Sequence, residues 1–144
     1  MIVLDASVLI GHFEPADSHH ADATTLLKAH LTDSFVSSVV TLAEVYVGAS
    51  RAGQADRLDQ LLAQLAIRSL ELPADAAHRL GELRTTTGLK LPDCCVLYTA
   101  ERHHAAIATF DETVAERATN MGLTIAATAG RVLPPNPFRA PGFQ

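Results

Sequence analysis

The sequence predicts an α/β protein with a three-layer α/β/α architecture, in which a central parallel sheet of about five short strands lies between two layers of helices. Short apolar runs alternate along the chain with longer segments whose apolar residues recur at helical spacing. Each segment between two runs is long enough to hold a helix, which is the connection that parallel strands need. In such a fold the carboxyl ends of the strands and the amino ends of the helices share one edge of the sheet.

The predicted elements follow one another in regular alternation. Strands are expected at residues 1–4, 35–38, 66–72, 105–110 and 123–126. Helices are expected at residues 7–13, 19–31, 42–52, 54–65, 74–87, 92–103 and 112–120. Ser7 is a favourable residue for beginning a helix, and Gly53, Gly88 and Gly122 are placed to end helices, where a left-handed residue is common.

Length and composition indicate one globular domain. We expect a single domain at residues 1–129, followed by a tail at residues 130–144 that its prolines exclude from regular structure. No apolar run approaches the roughly 20 residues of a membrane-spanning helix, and no secretory signal pattern opens the chain. The two cysteines, Cys94 and Cys95, are adjacent, so they are expected to be unpaired core residues. These features predict a cytoplasmic protein without a membrane partner.

The charge balance limits the kinds of surface that the chain can present. The formal net charge is −5, which argues against a general polyanion-binding surface. A divalent cation bound to clustered acids would reverse the local field, so the acidic total does not exclude a nucleic-acid substrate.

Four acidic residues are predicted to meet at the carboxyl edge of the sheet. Asp5 and Asp111 directly follow predicted strands, whereas Glu44 and Asp93 lie near the amino ends of predicted helices. The topology brings these four positions to one edge from four separate segments.

Each acid also has an ordinary structural explanation. Asp5 and Asp111 are suited to capping the helices that follow them. Thr41 and Glu44 have the spacing of a capping box, and Asp93 suits the first turn of a helix because of the helix dipole. Capping does not explain why Glu44 and Asp93 stand in largely apolar stretches, where clustered carboxylates would repel one another without a cation.

The residue types point to a hard divalent cation. Carboxylates without accompanying histidine or cysteine favour Mg²⁺ or Mn²⁺, which in such sites promote phosphodiester hydrolysis. The hydroxyls of Ser7 and Thr109 are candidates for orienting the carboxylates, although they suit equally a helix cap and a strand residue. The seven histidines show no metal-ligand spacing and are expected on the surface, and the aromatic residues are too few to predict a base-stacking platform.

The four acidic motifs together resemble those of PIN-domain ribonucleases. The matching stretches are Asp5-Ala6-Ser7, Glu44 after Val39-Val40-Thr41, Leu91-Pro92-Asp93 and Thr109-Phe110-Asp111. Within that family a free-standing domain of this length is similar to the VapC-type toxins of type II toxin–antitoxin systems. The resemblance implies Asp5, Glu44, Asp93 and Asp111 as ligands of Mg²⁺ or Mn²⁺ and as the catalytic residues of an endoribonuclease that cuts tRNA or rRNA. It also implies a VapB-like antitoxin and a homodimer.

Two other functions remain open at this point. An aspartyl-phosphate receiver or phosphatase-like domain also gathers carboxylates and Mg²⁺, but neither lysine, Lys28 or Lys90, follows a predicted strand as that mechanism requires. A non-catalytic interaction module would use the acids only as caps, with the stripe Leu58, Leu61, Leu62 and Leu65 available to a partner. Arg51, Arg84 and Lys90 are candidate phosphate contacts, or simply solubilising charges.

Overall fold

A computed structural model describes residues 1–127 as a parallel sheet covered on both faces by helices. The strands in this part of the chain are β1 (Ile2–Leu4), β2 (Phe35–Ser38), β3 (Arg68–Leu70) and β4 (Ala106–Ala108), and their order in the sheet is β3-β2-β1-β4. Every pairing is parallel, and β1 lies in the interior of the sheet, where Ile2 is in register with Phe35 on one side and Ala106 on the other. The predicted fold class is confirmed.

Seven helices connect these strands within residues 1–127. They are α1 (Ala6–Phe13), α2 (His20–Ala29), α3 (Val39–Arg51), α4 (Ala55–Gln64), α5 (Ala76–Thr87), α6 (Leu91–His103) and α7 (Glu112–Asn120). Gly88 ends α5 in the left-handed conformation with φ 73°, as predicted for a glycine at that position. None of these helices combines the length and the apolar character that crossing a membrane requires.

The core is divided between the two faces of the sheet, and β1 contributes to both. Ile2 and Leu4 pack with buried residues of α1 to α4, whereas Val3, between them, packs with buried residues of α5, α6 and α7. This alternation follows from the two-residue period of a strand. Because both faces are covered, β1 is apolar throughout, and the first polar side chain after it is at the edge of the sheet.

The third and fifth predicted strands differ from the structure. β3 is limited to Arg68–Leu70, because Ala66 before it has a positive φ of 52°. The fifth strand is reduced to one bridge, in which Ile107 donates to the carbonyl of Thr124 and accepts from the amide of Ala126, both at 2.8 Å. Helix α5 begins at Ala76 rather than at residue 74, because residues 74 and 75 form a turn that is closed by a hydrogen bond from the Ala76 amide to the Pro73 carbonyl.

The structure decides between the core and a partner for one set of side chains and corrects the predicted placement of another. The leucine stripe of α4 belongs to the core: Leu58 is fully buried, and Leu61, Leu62 and Leu65 pack against it. His30 was expected on the surface but is buried, with Nδ1 at 3.0 Å from Asp33 Oδ2 and Nε2 at 2.9 Å from the Ala127 carbonyl. Cys94 and Cys95 are unpaired and buried, as predicted. The predicted domain boundary at residue 129 and the tail at 130–144 lie outside the described residues.

Candidate active site at the carboxyl edge of the sheet

Asp5 is the buried carboxylate of this edge, with only 5% of its surface exposed. It is the residue that caps α1, and its Oδ1 accepts a hydrogen bond from the Ala6 amide at 2.8 Å. Its Oδ2 accepts from the Thr109 hydroxyl at 2.6 Å and from the Ser7 hydroxyl at 3.0 Å. A buried carboxylate needs such donors to offset its loss of hydration. Asp5 is therefore held in one orientation by three donors.

The two hydroxyls that contact Asp5 also fasten the turn after β4. Ser7 Oγ accepts from the Phe110 amide and Thr109 Oγ1 accepts from the Asp111 amide, both at 3.0 Å. Each hydroxyl thus donates to Asp5 while accepting from the backbone of the neighbouring turn. The side chains of Ser7 and Thr109 are therefore in position to orient the Asp5 carboxylate, and that role stays a prediction.

Asp111 caps α7, as its position in the sequence allows. Its Oδ1 accepts from the amides of Thr113 at 2.9 Å and Val114 at 3.1 Å. Among residues 1–127 no donor contacts its Oδ2, and the residue is exposed. Capping uses one oxygen of Asp111 and leaves the other available to a ligand.

Glu44 is not a capping residue, so the capping-box interpretation is wrong. Helix α3 begins at Val39, and its cap is Ser38, whose Oγ accepts from the Thr41 amide at 3.1 Å. Glu44 therefore lies in the second turn rather than the first. Its side chain is exposed, not enclosed by the apolar residues around it in the sequence, because those residues point into the core from the opposite side of the helix.

Asp93 lies in the first turn of α6, after Pro92, as predicted. It is half-buried, and no hydrogen-bond donor in the described part of the chain contacts its carboxylate. The helix dipole favours a negative charge at this position. Burial and the neighbouring acids oppose it.

The electrostatics show that the four acids act on one another. Partial desolvation by the surrounding protein atoms raises the pKa of Glu44 even though the residue is exposed, and the charges of Asp93 and Asp5 raise it further. Burial likewise raises the pKa of Asp93, with further contributions from Asp5 and Asp111, while Lys90 partly offsets them. Glu44 thus lies within electrostatic reach of Asp93 and Asp5, and Asp93 lies within reach of Asp5 and Asp111. Their mutual repulsion is the property that a bound cation would relieve.

The carboxylate ligands that these four residues offer suit Mg²⁺ or Mn²⁺, although the side chains do not form a complete coordination shell. Within residues 1–127 no group of three or more His, Cys, Asp or Glu side chains is close enough to hold a metal ion directly. Mg²⁺ needs only one or two protein carboxylates, with water as its other ligands. Carboxylate oxygens that repel one another at an open edge are compatible with that kind of site.

Three basic residues that were considered as candidate partners of this edge differ in their placement. Arg84 donates through Nη1 to the carbonyls of Gly88 at 2.7 Å and Leu89 at 2.9 Å, which closes the carboxyl end of α5. Lys90 is the residue before α6 and is exposed. Lys28 lies in the last turn of α2, which leads to the start of β2 and thus to the opposite edge of the sheet.

One feature of this edge was missed by sequence reasoning. The rings of His19 and Phe110 are stacked, with centroids 4.7 Å apart and planes 9° from parallel. The two residues are distant in sequence, so no spacing indicates the contact. The available signal was the position of Phe110 next to Asp111, together with the fact that histidine also serves as a stacking aromatic.

Comparisons with known proteins place the chain in a family. The family model described as "PIN domain" matches residues 2–120. No curated protein sequence matches the chain at a significant level. A toxin–antitoxin complex from Klebsiella pneumoniae contains a similar chain, with 30% identity, a TM-score of 0.65, and coverage of 76% of this chain and 85% of that chain.

Two further solved structures share the fold at low sequence identity. VapC20 of Mycobacterium tuberculosis, described as a Sarcin-Ricin loop cleaving toxin, is 15% identical with a TM-score of 0.69, and the match covers 81% of this chain and 94% of that chain. VapBC2 of Rickettsia felis, bound to a DNA fragment from its promoter, is 18% identical with a TM-score of 0.63, and the match covers 81% of this chain and 92% of that chain. With the family model spanning every element from β1 to α7, the chain belongs to the PIN-domain family.

Proposed function

We propose that this protein is a Mg²⁺- or Mn²⁺-dependent endoribonuclease that acts as the toxin of a toxin–antitoxin pair. The observation that carries the proposal is that four separate segments supply acids to one edge of a PIN-domain sheet, where neighbouring carboxylates raise the pKa values of Glu44 and Asp93. Such an arrangement costs stability in the absence of a cation, so capping alone does not account for it. Asp5, Glu44, Asp93 and Asp111 are the proposed metal ligands and catalytic residues.

When bound, the cation would supply a polarised water and neutralise charge on the attacking and leaving oxygens of a phosphodiester. The residues of the chain have distinct parts in this proposal. Asp5 is fixed by Ser7, Thr109 and the Ala6 amide, so it offers a ligand oxygen in a set orientation. The exposed Glu44 carboxylate and the exposed face of Asp111 leave the edge open to an extended nucleic acid.

The partners follow from the same proposal. A similar chain occurs in a toxin–antitoxin complex, which supports a VapB-like antitoxin as the inhibitor of this protein. The Mycobacterium tuberculosis neighbour cleaves the Sarcin-Ricin loop, which supports structured RNA, either rRNA or tRNA, as the substrate class. A homodimer and a cytoplasmic location are part of the proposal as well.

The test is cleavage of folded tRNA and rRNA by the purified protein with Mn²⁺ or Mg²⁺, with and without excess EDTA. We expect internal cuts that require the metal and that disappear in Asp5→Asn and in Glu44→Gln prepared in parallel. Thermal unfolding of both variants checks that they are folded. Cleavage that persists in EDTA, or that both variants perform as well as wild type, would mean that the carboxylate site does not perform the reaction.

A further inference from the structure

The stacked pair His19 and Phe110 lies beside the carboxylates on the surface that an RNA substrate would approach. Phe110 stands directly between Thr109 and Asp111 in the chain. Its ring is half-buried against the core, and His19 covers it with a ring that is itself exposed. His19 is therefore an exposed aromatic residue that stacks on a second aromatic ring.

Both residues are held in place by contacts that do not involve the exposed ring face. The Phe110 amide donates to Ser7 Oγ, which also contacts Asp5, so the position of Phe110 is fixed relative to that carboxylate. The His19 amide donates to Asp17 Oδ1 at 2.8 Å, and the His19 carbonyl accepts from the Ala23 amide at 2.8 Å. Phe110 thus belongs to the hydrogen-bonded network that includes Asp5, and His19 joins it through ring stacking.

Close packing below His19 adds to this rigidity. A Cβ atom at Gly11 would lie 3.3 Å from Ala23 Cβ and 3.4 Å from His19 Cβ, so α1 and the start of α2 approach each other through a glycine. The neighbouring His20 ring is held through its Nδ1, 2.9 Å from the Gly11 carbonyl. His19 does not need to be ordered by a ligand, which lowers the entropic cost of using it as a binding surface.

The charge of the site favours base stacking as a source of affinity. The edge carries four carboxylates, whereas of the cations beside it Arg84 is engaged with backbone carbonyls and the exposed Lys90 lies within electrostatic reach of Asp93, so acidic groups outnumber the positive charges available to a phosphate backbone there. Stacking of a nucleobase on an aromatic ring needs no charge. Bases splayed out of single-stranded loops are the usual partners of such rings in RNA recognition.

We propose that His19, supported by Phe110, stacks on an unpaired nucleobase of the RNA substrate next to the cleaved phosphodiester. This inference rests on the proposed function and names how the substrate is positioned. His19 is assigned to substrate binding and has no part in moving a proton.

The experiment compares wild type with His19→Ala, His19→Leu and His19→Tyr in Mn²⁺-dependent cleavage of an RNA hairpin whose loop is single-stranded and carries 2-aminopurine. The fluorescence of 2-aminopurine, read in metal-free buffer with EDTA, reports stacking without hydrolysis. We expect His19→Ala and His19→Leu to raise KM about tenfold with kcat nearly unchanged, and to lose the fluorescence quenching on binding. His19→Tyr should retain both. His78→Ala, on the exposed face of α5, is the matched control.

The outcomes separate this inference from the proposed function. His19→Leu fills the space over Phe110 without an aromatic face, so wild-type KM in His19→Leu would mean that the ring only packs, and the stacking inference would be wrong. Metal-dependent cleavage by the wild-type protein would still support the proposed nuclease activity in that case. If wild type cleaves no RNA under any metal condition, the proposed function fails, and the stacking inference fails with it.

Discussion

Thr109 donates its hydroxyl hydrogen to Oδ2 of Asp5 at 2.6 Å, across 104 positions of the sequence. The same hydroxyl accepts from the Asp111 amide, so it joins the turn after β1 to the turn after β4. These two turns follow neighbouring strands of the sheet. The contact therefore connects the geometry of two of the four acids, and its removal should affect both.

Replacing Thr109 by Val removes the hydroxyl at little change in volume. We expect a loss of about 1–3 kcal/mol in the free energy of unfolding, because the buried Asp5 carboxylate loses a donor. Cleavage should fall on the order of tenfold or more, as is typical when a residue that orients a metal ligand is removed. Chemical denaturation and RNA cleavage measure the two effects.

Two variants control the Thr109→Val result. Thr109→Ser keeps the hydroxyl and should stay near wild type in both measurements. Thr85→Val removes an exposed hydroxyl whose hydrogen bond within residues 1–127 is to the Gly81 carbonyl of its own helix, at 2.8 Å, and should also stay near wild type. Thr109→Val with full activity and full stability would show that Asp5 needs no support from that hydroxyl.

Replacing Glu44 by Gln should separate folding from activity. Glu44 is exposed and caps nothing, so we expect the free energy of unfolding to change by no more than about 0.5 kcal/mol. Cleavage should be strongly reduced, because Gln cannot replace a carboxylate that holds a divalent cation. Glu116→Gln, an exposed acid on α7 away from the four acids, is the matched control. Equal activity of Glu44→Gln and Glu116→Gln would remove Glu44 from the site.

The sequence was sufficient to predict the sheet edge and the residues on it where local signals agreed. The apolar run before Asp5 and the one before Thr109 specify strands, and right-handed crossovers then bring their ends together. The contacts of Ser7 and Thr109 with Asp5 follow from that topology. The start of α3 was predicted less well: Val39 and Val40, whose branched side chains lower helix propensity, were expected to precede the helix, whereas Ser38 caps a helix that already includes them.

Contacts that depend on the path of the chain in three dimensions could not be predicted. His19 reaches Phe110 because Gly11 lets α1 and α2 approach closely, a relation that no single segment encodes. His30 is buried because residues 124–127 pass over it beside β4. Both histidines were expected on the surface, which is correct for His19 and wrong for His30.

Deleting residues 131–144 should leave the fold intact. The contacts that anchor the end of the described chain all lie before that segment: Thr124 and Ala126 pair with Ile107, and the Ala127 carbonyl contacts His30. Deletion from residue 124 removes these contacts and should cost about 1–3 kcal/mol for each buried polar group left without a partner. Thermal unfolding of the two truncated proteins makes the comparison. A similar loss of stability in both would show that residues 131–144 contribute to the core.

The pKa shifts of Glu44 and Asp93 give a sign for the pH dependence of stability without metal. Both pKa values are raised in the folded protein, so the folded state binds protons more tightly than the unfolded state. The stability contribution of each group is greatest when it is protonated, and it falls as the pH rises from the ordinary pKa through the raised one. Glu101, whose pKa is lowered by its bidentate pair with Arg79, has the opposite sign. Because these contributions have opposite signs, the difference in stability between two variants is more informative than the pH profile of one protein.

Asp93→Asn should consequently be at least as stable as wild type at pH 7 without metal, while losing cleavage. The substitution removes a half-buried charge that Asp5 and Asp111 repel, a gain on the order of 1 kcal/mol at most, since solvent screens part of it. It also gives up a favourable helix-dipole interaction of about 0.3–1 kcal/mol. The difference in stability between the two proteins should change in favour of wild type as the pH falls from above the raised pKa of Asp93 to the ordinary pKa of Asp, and should then stay constant. Asp56→Asn, in the first turn of α4, loses only the dipole interaction and should be slightly less stable than wild type.

Mn²⁺ should raise the melting temperature of wild type more than that of Asp93→Asn, because the variant has lost a ligand and a negative charge. If Asp93→Asn is destabilised as much as Asp56→Asn and responds fully to Mn²⁺, Asp93 serves the helix and not the metal.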